Sequence, residues 1–257
     1  MEILIISLAA FLTAILTFFS GFGLGTILAP VFILFFPVDL AIALTGVVHF
    51  FNNIFKLFLV GKDADRTVLL RFGLPAIVAA ALGAWLLLQI SDSRPLLEYS
   101  LGESVFQITP VKLTIAVLLM VFALMDLIPY LERIRIDQKY LPFGGVLSGF
   151  FGGLSGHQGA LRSAFLIKAG LSKEAFIGTS VVLGALIDFS RLTVYASRFL
   201  DAGLVENIPL VLIATGSAIL GAYLGNKLLK KVTLTFLQRF IAILLFLIAI
   251  ALGAGWI

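Results

Sequence analysis

Apolar residues fall along this chain in long blocks, at approximately 2–36, 38–60, 68–90, 110–128, 141–169, 174–198, 204–229 and 233–256. Most of these blocks reach the roughly 20 residues that a helix needs to cross a bilayer. The pattern predicts an all-α integral membrane protein. The longest polar gaps, about 91–109 and 129–140, leave no room for a soluble domain of useful size.

Two blocks carry internal breaks. Within 141–169, the stretch Gly149–Ser163 holds five glycines together with His157, Gln158, Arg162, Ser155 and Ser163. Glycine relaxes the backbone and interrupts a helix. A broken helix at membrane depth is tolerated only where protein or a water-filled cavity satisfies the freed backbone groups. The stretch Gly21-Phe22-Gly23-Leu24-Gly25-Thr26 is the matching break in the first block.

Charge sets the expected orientation. Lys62, Arg66 and Arg71 lie in one loop, Arg133, Arg135 and Lys139 in a second, and Lys227, Lys230 and Lys231 in a third. By the positive-inside rule these face the cytoplasm. The stretches 91–108, with Asp92, Glu98 and Glu103, and 198–206, with Asp201 and Glu206, read as external. Two blocks, 141–169 and 174–198, lie between an inside loop and an outside loop, so one of them must enter and leave by the same face. The Gly156–Gly159 break divides 141–169 into arms of about 14 and 10 residues, each too short to cross alone. That block is predicted as a re-entrant hairpin. Block 2–36 would be about 50 Å long as one helix and receives the same reading, split at 21–25 and ended by Pro37.

The halves then repeat. Gly21–Ala29 overlays Gly156–Ala164, Ala41–Thr45 overlays Ala175–Thr179, and Gly83–Leu86 overlays Gly221–Leu224. Each half, 1–128 and 129–257, holds one hairpin and three crossings. An odd number of crossings makes the repeats inverted, a recurrent plan of secondary transporters.

Composition narrows the partners. The chain is 61% apolar and 12% charged, against about a quarter charged in soluble domains. The net charge of +4 is spread over topology-setting loops and is not read as nucleic-acid binding. No cysteine is present, which excludes disulfides and thiolate metal sites. The acidic Glu2 and the lack of a small-residue cleavage site argue against a signal peptide. The expected setting is the cell's inner membrane, spanned several times; no cofactor is expected, and a homo-oligomer is compatible with the sequence.

The two breaks, each followed by an apolar arm and an Ala-x-x-x-Thr helix start, resemble the sulfite exporter TauE/SafE-like family over nearly the whole chain. The residues concerned are Gly21–Pro30 with Ala41 and Thr45, and Gly156–Phe165 with Ala175, Thr179 and Ser180. The resemblance implies transport, commonly export, of small sulfur-containing or organic anions such as sulfite, sulfoacetate or other sulfonates.

Candidate chemistry gathers at the breaks and on two helices. Backbone donors of Gly21, Gly23, Gly25 and Thr26, and of Gly156 and Gly159, suit an oxyanion, as helix N-termini do. His157 and Gln158 add side-chain donors there, or else satisfy the broken backbone. Arg162 offers a planar fork for oxyanion oxygens, or snorkels beside Lys168. His49, Asn52 and Asn53 share a helix face, lining a cavity or bonding between helices; Lys56 continues that face and is expected to snorkel. Asp188 and Arg191 form an i, i+3 pair, or serve as a proton carrier and an anion contact respectively. The hydroxyls of Thr45, Thr179 and Ser180 bond the hairpin tips or their own helices. Gly145, Gly149, Gly153, Gly221 and Gly225 mark close helix packing. Trp85, Tyr99, Tyr130, Tyr140, Tyr195 and Trp256 are expected at the interfaces.

An intramembrane enzyme would need a nucleophile–base pair or a metal cluster. The chain offers two histidines, no cysteine, and a Ser155–His157 pair without an orienting acid nearby. A scaffold would have no use for polar residues at both breaks. A transporter is the reading that uses them.

Overall fold

The computed structural model describes residues 1–18, 23–127, 137–201, 204–228 and 234–257. Gly21, the loop bearing Arg133 and Arg135, Tyr130, and Lys230 with Lys231 lie outside these residues. The first block forms α1 (Glu2–Thr17) and α2 (Leu24–Ile33), separated at Gly23. Gly23 has φ +116°, and a Cβ there would strike the Thr17 methyl, so the turn requires glycine. Pro37 then caps α3 (Val38–Val60). A short α4 (Arg66–Val68) runs through a π-helical stretch, Leu69–Gly73, into α5 (Leu74–Ser91), making one rod from Arg66 to Ser91.

After α6 (Pro110–Leu127) come α7 (Leu141–Ser155) and α8 (Gly159–Leu166). The chain continues with α9 (Lys173–Asp201), α10 (Leu204–Leu228) and α11 (Leu234–Gly253). Gly156 ends α7 with φ +80° and sends its N–H to the Gly152 carbonyl. At 1.5 Å per residue α7 is about 22 Å long and α8 about 12 Å, both short of a hydrocarbon core of about 30 Å. The Gln138 side chain donates to the Ala169 carbonyl at 2.8 Å, so α7 begins where α8 ends. Beside it Asp137 accepts the Lys139 N–H, which holds its carboxyl below the usual carboxylate range.

Packing comes in matched pairs: α5 lies along α7, α1 along α10, α3 along α9, and α6 along α11. Glycine makes the first two seams. A Cβ on Gly145, Gly149 or Gly153 would sit on the carbonyl of Phe72, Ala76 or Ala80, four residues apart on both helices. Gly221 and Gly225 meet the carbonyls of Phe11 and Ile15 in the same manner. Backbones in such direct contact leave no space for any side chain between them.

The surface is apolar and the interior carries charge. Leu70, Leu74, Val78 and Leu82 form a stripe along the Arg66–Ser91 rod, each more than half exposed. By contrast Lys56, Arg162, Asp188 and Arg191 are buried. Among the described residues four helices are long and apolar enough to cross a membrane.

The described residues are almost wholly helical, with one addition: β1 (Leu97–Leu101) and β2 (Ser104–Ile108) pair antiparallel around Gly102 and Glu103. Tyr99 stacks on Phe106, and its hydroxyl donates to the Ala254 carbonyl, tying this hairpin to the end of α11. Tyr195, expected at an interface, is fully buried and donates to the Gly153 carbonyl. Lys56, expected to snorkel, is 6% exposed, its ammonium 5.3 Å from the centre of the Phe18 ring.

Candidate anion-binding site

The polar interior is built around one carboxylate. Asp188 faces α3 from the middle of α9, with no exposed surface. Its Oδ2 lies 2.6 Å from His49 Nδ1 and accepts from Asn53 Nδ2 at 3.2 Å. Its Oδ1 accepts from Gln158 Nε2 at 2.8 Å, and from Arg191 Nε and Nη2 at 3.0 and 2.8 Å. So short a contact with a carboxylate oxygen assigns the His49 proton to Nδ1. Gln158 carries the network onward, its Oε1 accepting from Arg162 Nη1 at 2.8 Å. The Gln158 carbonyl in turn accepts from Ser148 on α7.

Local sequence explains how four elements reach one point. His49 and Asn53 are four apart on α3, as Asp188 and Arg191 are three apart on α9, so each pair shares a face. Glycines on the facing helices make room. A Cβ on Gly46 would come within 3.3 Å of the Arg191 guanidinium carbon, and one on Gly184 within 2.8 Å of Asn53 Nδ2. Arg191 also reaches the Gly152 carbonyl, which already accepts the Gly156 N–H, and Tyr195 donates to the Gly153 carbonyl at the end of α7.

The two breaks meet beside this cluster. A Cβ on Gly25 would stand 3.2 Å from the Gly156 carbonyl and 3.7 Å from the His49 ring. Pro30 has no N–H to give the Thr26 carbonyl.

Of the residues singled out in the sequence, His49, Asn53, Gln158, Arg162, Asp188 and Arg191 come together, with Gly25 and Gly156 at the wall. Asn52 is buried nearby with neither amide atom hydrogen-bonded. Gly159 opens α8, and Thr26 is buried in α2.

Others stand elsewhere. Thr179 does not serve a hairpin tip: its hydroxyl accepts the Asp65 N–H at 2.8 Å. Nine residues from Asp188 on one helix, it lies about 13 Å away. His157 does not point into the cluster, because its ring stacks on Phe122 at 5.3 Å and Nδ1 faces the Ser155 carbonyl. The Ser155 hydroxyl bonds Phe151, so the serine–histidine pair is not formed. Gly23 acts through its backbone conformation. Gly46, Gly184 and Ser148 escaped the sequence reading; the only signal was glycine one turn before His49 and before Asp188.

Among the described residues that are buried, Lys56, Arg162 and Arg191 are cationic and Asp188 is the one carboxylate. An Arg or Lys at bilayer depth costs about 2.5–3.5 kcal/mol on insertion scales, and such residues mark solute and ion pathways.

A multi-pass membrane protein whose broken helices meet at a buried cationic cluster has the construction of a transporter. Residues 6–252 match the family described as Sulfite exporter TauE/SafE, and the chain belongs to that family. The family is one of multi-pass membrane transporters rather than enzymes. No curated protein and no solved structure matches the chain.

Proposed function

We propose that the chain is a secondary transporter, working as an exporter, of small sulfur-containing or organic oxyanions such as sulfite, sulfoacetate and other sulfonates. The observation that carries this reading is the predominance of cations among the described buried charges, in a cluster beside the contact of Gly25 with Gly156. Guanidinium forks and amide donors suit sulfonate oxygens.

In the conformation described, Asp188 occupies its own donors. Protonation of its carboxylate, with His49 relaying the proton, weakens its hold on Gln158, Asn53 and Arg191. An oxyanion then takes their hydrogen bonds beside Arg162. Loading thereby couples the anion to a proton.

Alternating access follows from two halves, 1–128 and 129–257, related as inverted repeats that rock about the shared site. The matched packings of α1 with α10 and α7 with α5, and the common end of α7 and α8 at Gln138 and Ala169, support this arrangement. The proposed location is the inner membrane, with the 61–65 loop and residues 167–172 cytoplasmic.

The test is flux in proteoliposomes. Gln158→Ala and Arg162→Ala should lose most sulfite flux driven by an imposed proton gradient, and Asp188→Asn should remove its dependence on that gradient. Unchanged flux in the first two would show that the anion binds elsewhere.

A further inference from the structure

Lys56 is the buried cation that the network around Asp188 leaves out. It lies on the inner face of α3, three residues from Asn53 and four from Asn52, and is 6% exposed. Among the described residues no carboxylate stands within 4 Å of it. Its ammonium lies over Phe18, at the end of α1 just before the first break. Arg162 is close enough for the two charges to repel. Asn52, one turn away and fully buried, has both amide atoms without a hydrogen-bond partner.

The cation and the amide lie one helical turn apart on α3, and among the described residues no carboxylate pairs with the cation. A buried ammonium and an unbonded amide suit a second negative group on the solute. We propose that Lys56, with Asn52 beside it, sets the charge specificity of the site, favouring doubly charged oxyanions over singly charged ones of the same shape. This rests on the anion-transport reading and deepens it. The first negative group of the solute engages Arg162 and the donors that Asp188 releases. The second engages Lys56 and the Asn52 amide.

The competing structural role is also defined. An ammonium at the end of α1 can satisfy that helix's terminal carbonyls. In that case its removal would weaken every solute alike.

The experiment separates the two with a matched pair of competitors. Wild-type protein in proteoliposomes takes up radiolabelled sulfite, and uptake is competed with sulfoacetate, a dianion, or with sulfoacetamide, its near-isosteric monoanion. One additional charge pair in a partly desolvated site should make sulfoacetate on the order of tenfold or more the better competitor.

Lys56→Gln and Lys56→Met should bring that ratio close to one, with the loss falling on sulfoacetate. Lys56→Arg should preserve the ratio. The inference is overturned if the ratio survives in Lys56→Gln and Lys56→Met, if both competitors weaken together, or if wild type shows no preference for the dianion. Absence of sulfite uptake by wild type would overturn the transport reading itself, which distinguishes the two failures.

Discussion

Replacing Asp188 by Asn changes one atom of a side chain that accepts five hydrogen bonds. The new amide keeps one oxygen and turns an NH2 toward donors, whichever way it faces. Facing Oδ1's partners it opposes Gln158 and Arg191; facing Oδ2's it opposes His49 and Asn53. The Arg191 guanidinium, with no exposed surface, also loses its counter-charge. Removing one partner of a buried pair costs about 3–5 kcal/mol, because the other charge stays buried and uncompensated. The individual lost bonds do not add to this, since they belong to one network. Denaturant or thermal unfolding of the purified protein should therefore show a loss of about 3–5 kcal/mol in Asp188→Asn.

A second measurement tests the idea that an oxyanion takes the carboxylate's place. In the variant the donors are free, so sulfite need not displace an internal competitor. At a hundredfold excess over its dissociation constant it should restore about 2.7 kcal/mol, and at equal concentration it should stabilise wild type less. A variant within about 1 kcal/mol of wild type would refute the buried-pair argument. Equal stabilisation of both proteins by sulfite would refute the competition.

Gly149→Leu drives a side chain into the Ala76 carbonyl at the centre of the α5–α7 seam. It should destabilise the fold by upwards of about 1–3 kcal/mol in the same unfolding assay. Tyr195→Phe, which leaves the Gly153 carbonyl unanswered, should cost about 1 kcal/mol. Because the chain has no cysteine, single cysteines report topology directly. Lys139→Cys and Ser172→Cys should react with an impermeant maleimide from one face, and Glu103→Cys from the other.

The helical blocks and their breaks were legible because glycine, proline and apolar run length act locally. A break expected at Gly156–Gly159 falls between the end of α7 at Ser155 and the start of α8 at Gly159. The glycine seams were legible for the same reason, their spacing of four being a property of one helix. The hub at Asp188 was only half visible. Its pairing with Arg191 is written in the i, i+3 spacing, but Gln158 and His49 lie 30 and 139 residues away in the chain. Which nitrogen or oxygen meets which partner across that distance is decided by packing. His157 makes the same point: neighbouring Gln158 turns into the cluster while His157 turns onto Phe122, and no spacing rule separates two adjacent residues at a helix break. Lys56 was misplaced because distance from a loop says little about burial once α1 ends beside it. The alternation of Leu97, Tyr99 and Leu101 with Glu98 and Ser100 did carry a strand signal, in a gap read only for its charge.

The β-hairpin also holds the stretch that follows α11. Gly255, with φ +76°, rests against the Gln107 carbonyl, so residues 254–257 are fastened to the hairpin rather than trailing from the helix. The Arg66–Ser91 rod, about 39 Å long, separates this end from the 61–65 loop. A reporter fused after Ile257 would therefore emerge on the hairpin's face of the bilayer, and a spacer would be needed to keep it from prying the clasp open.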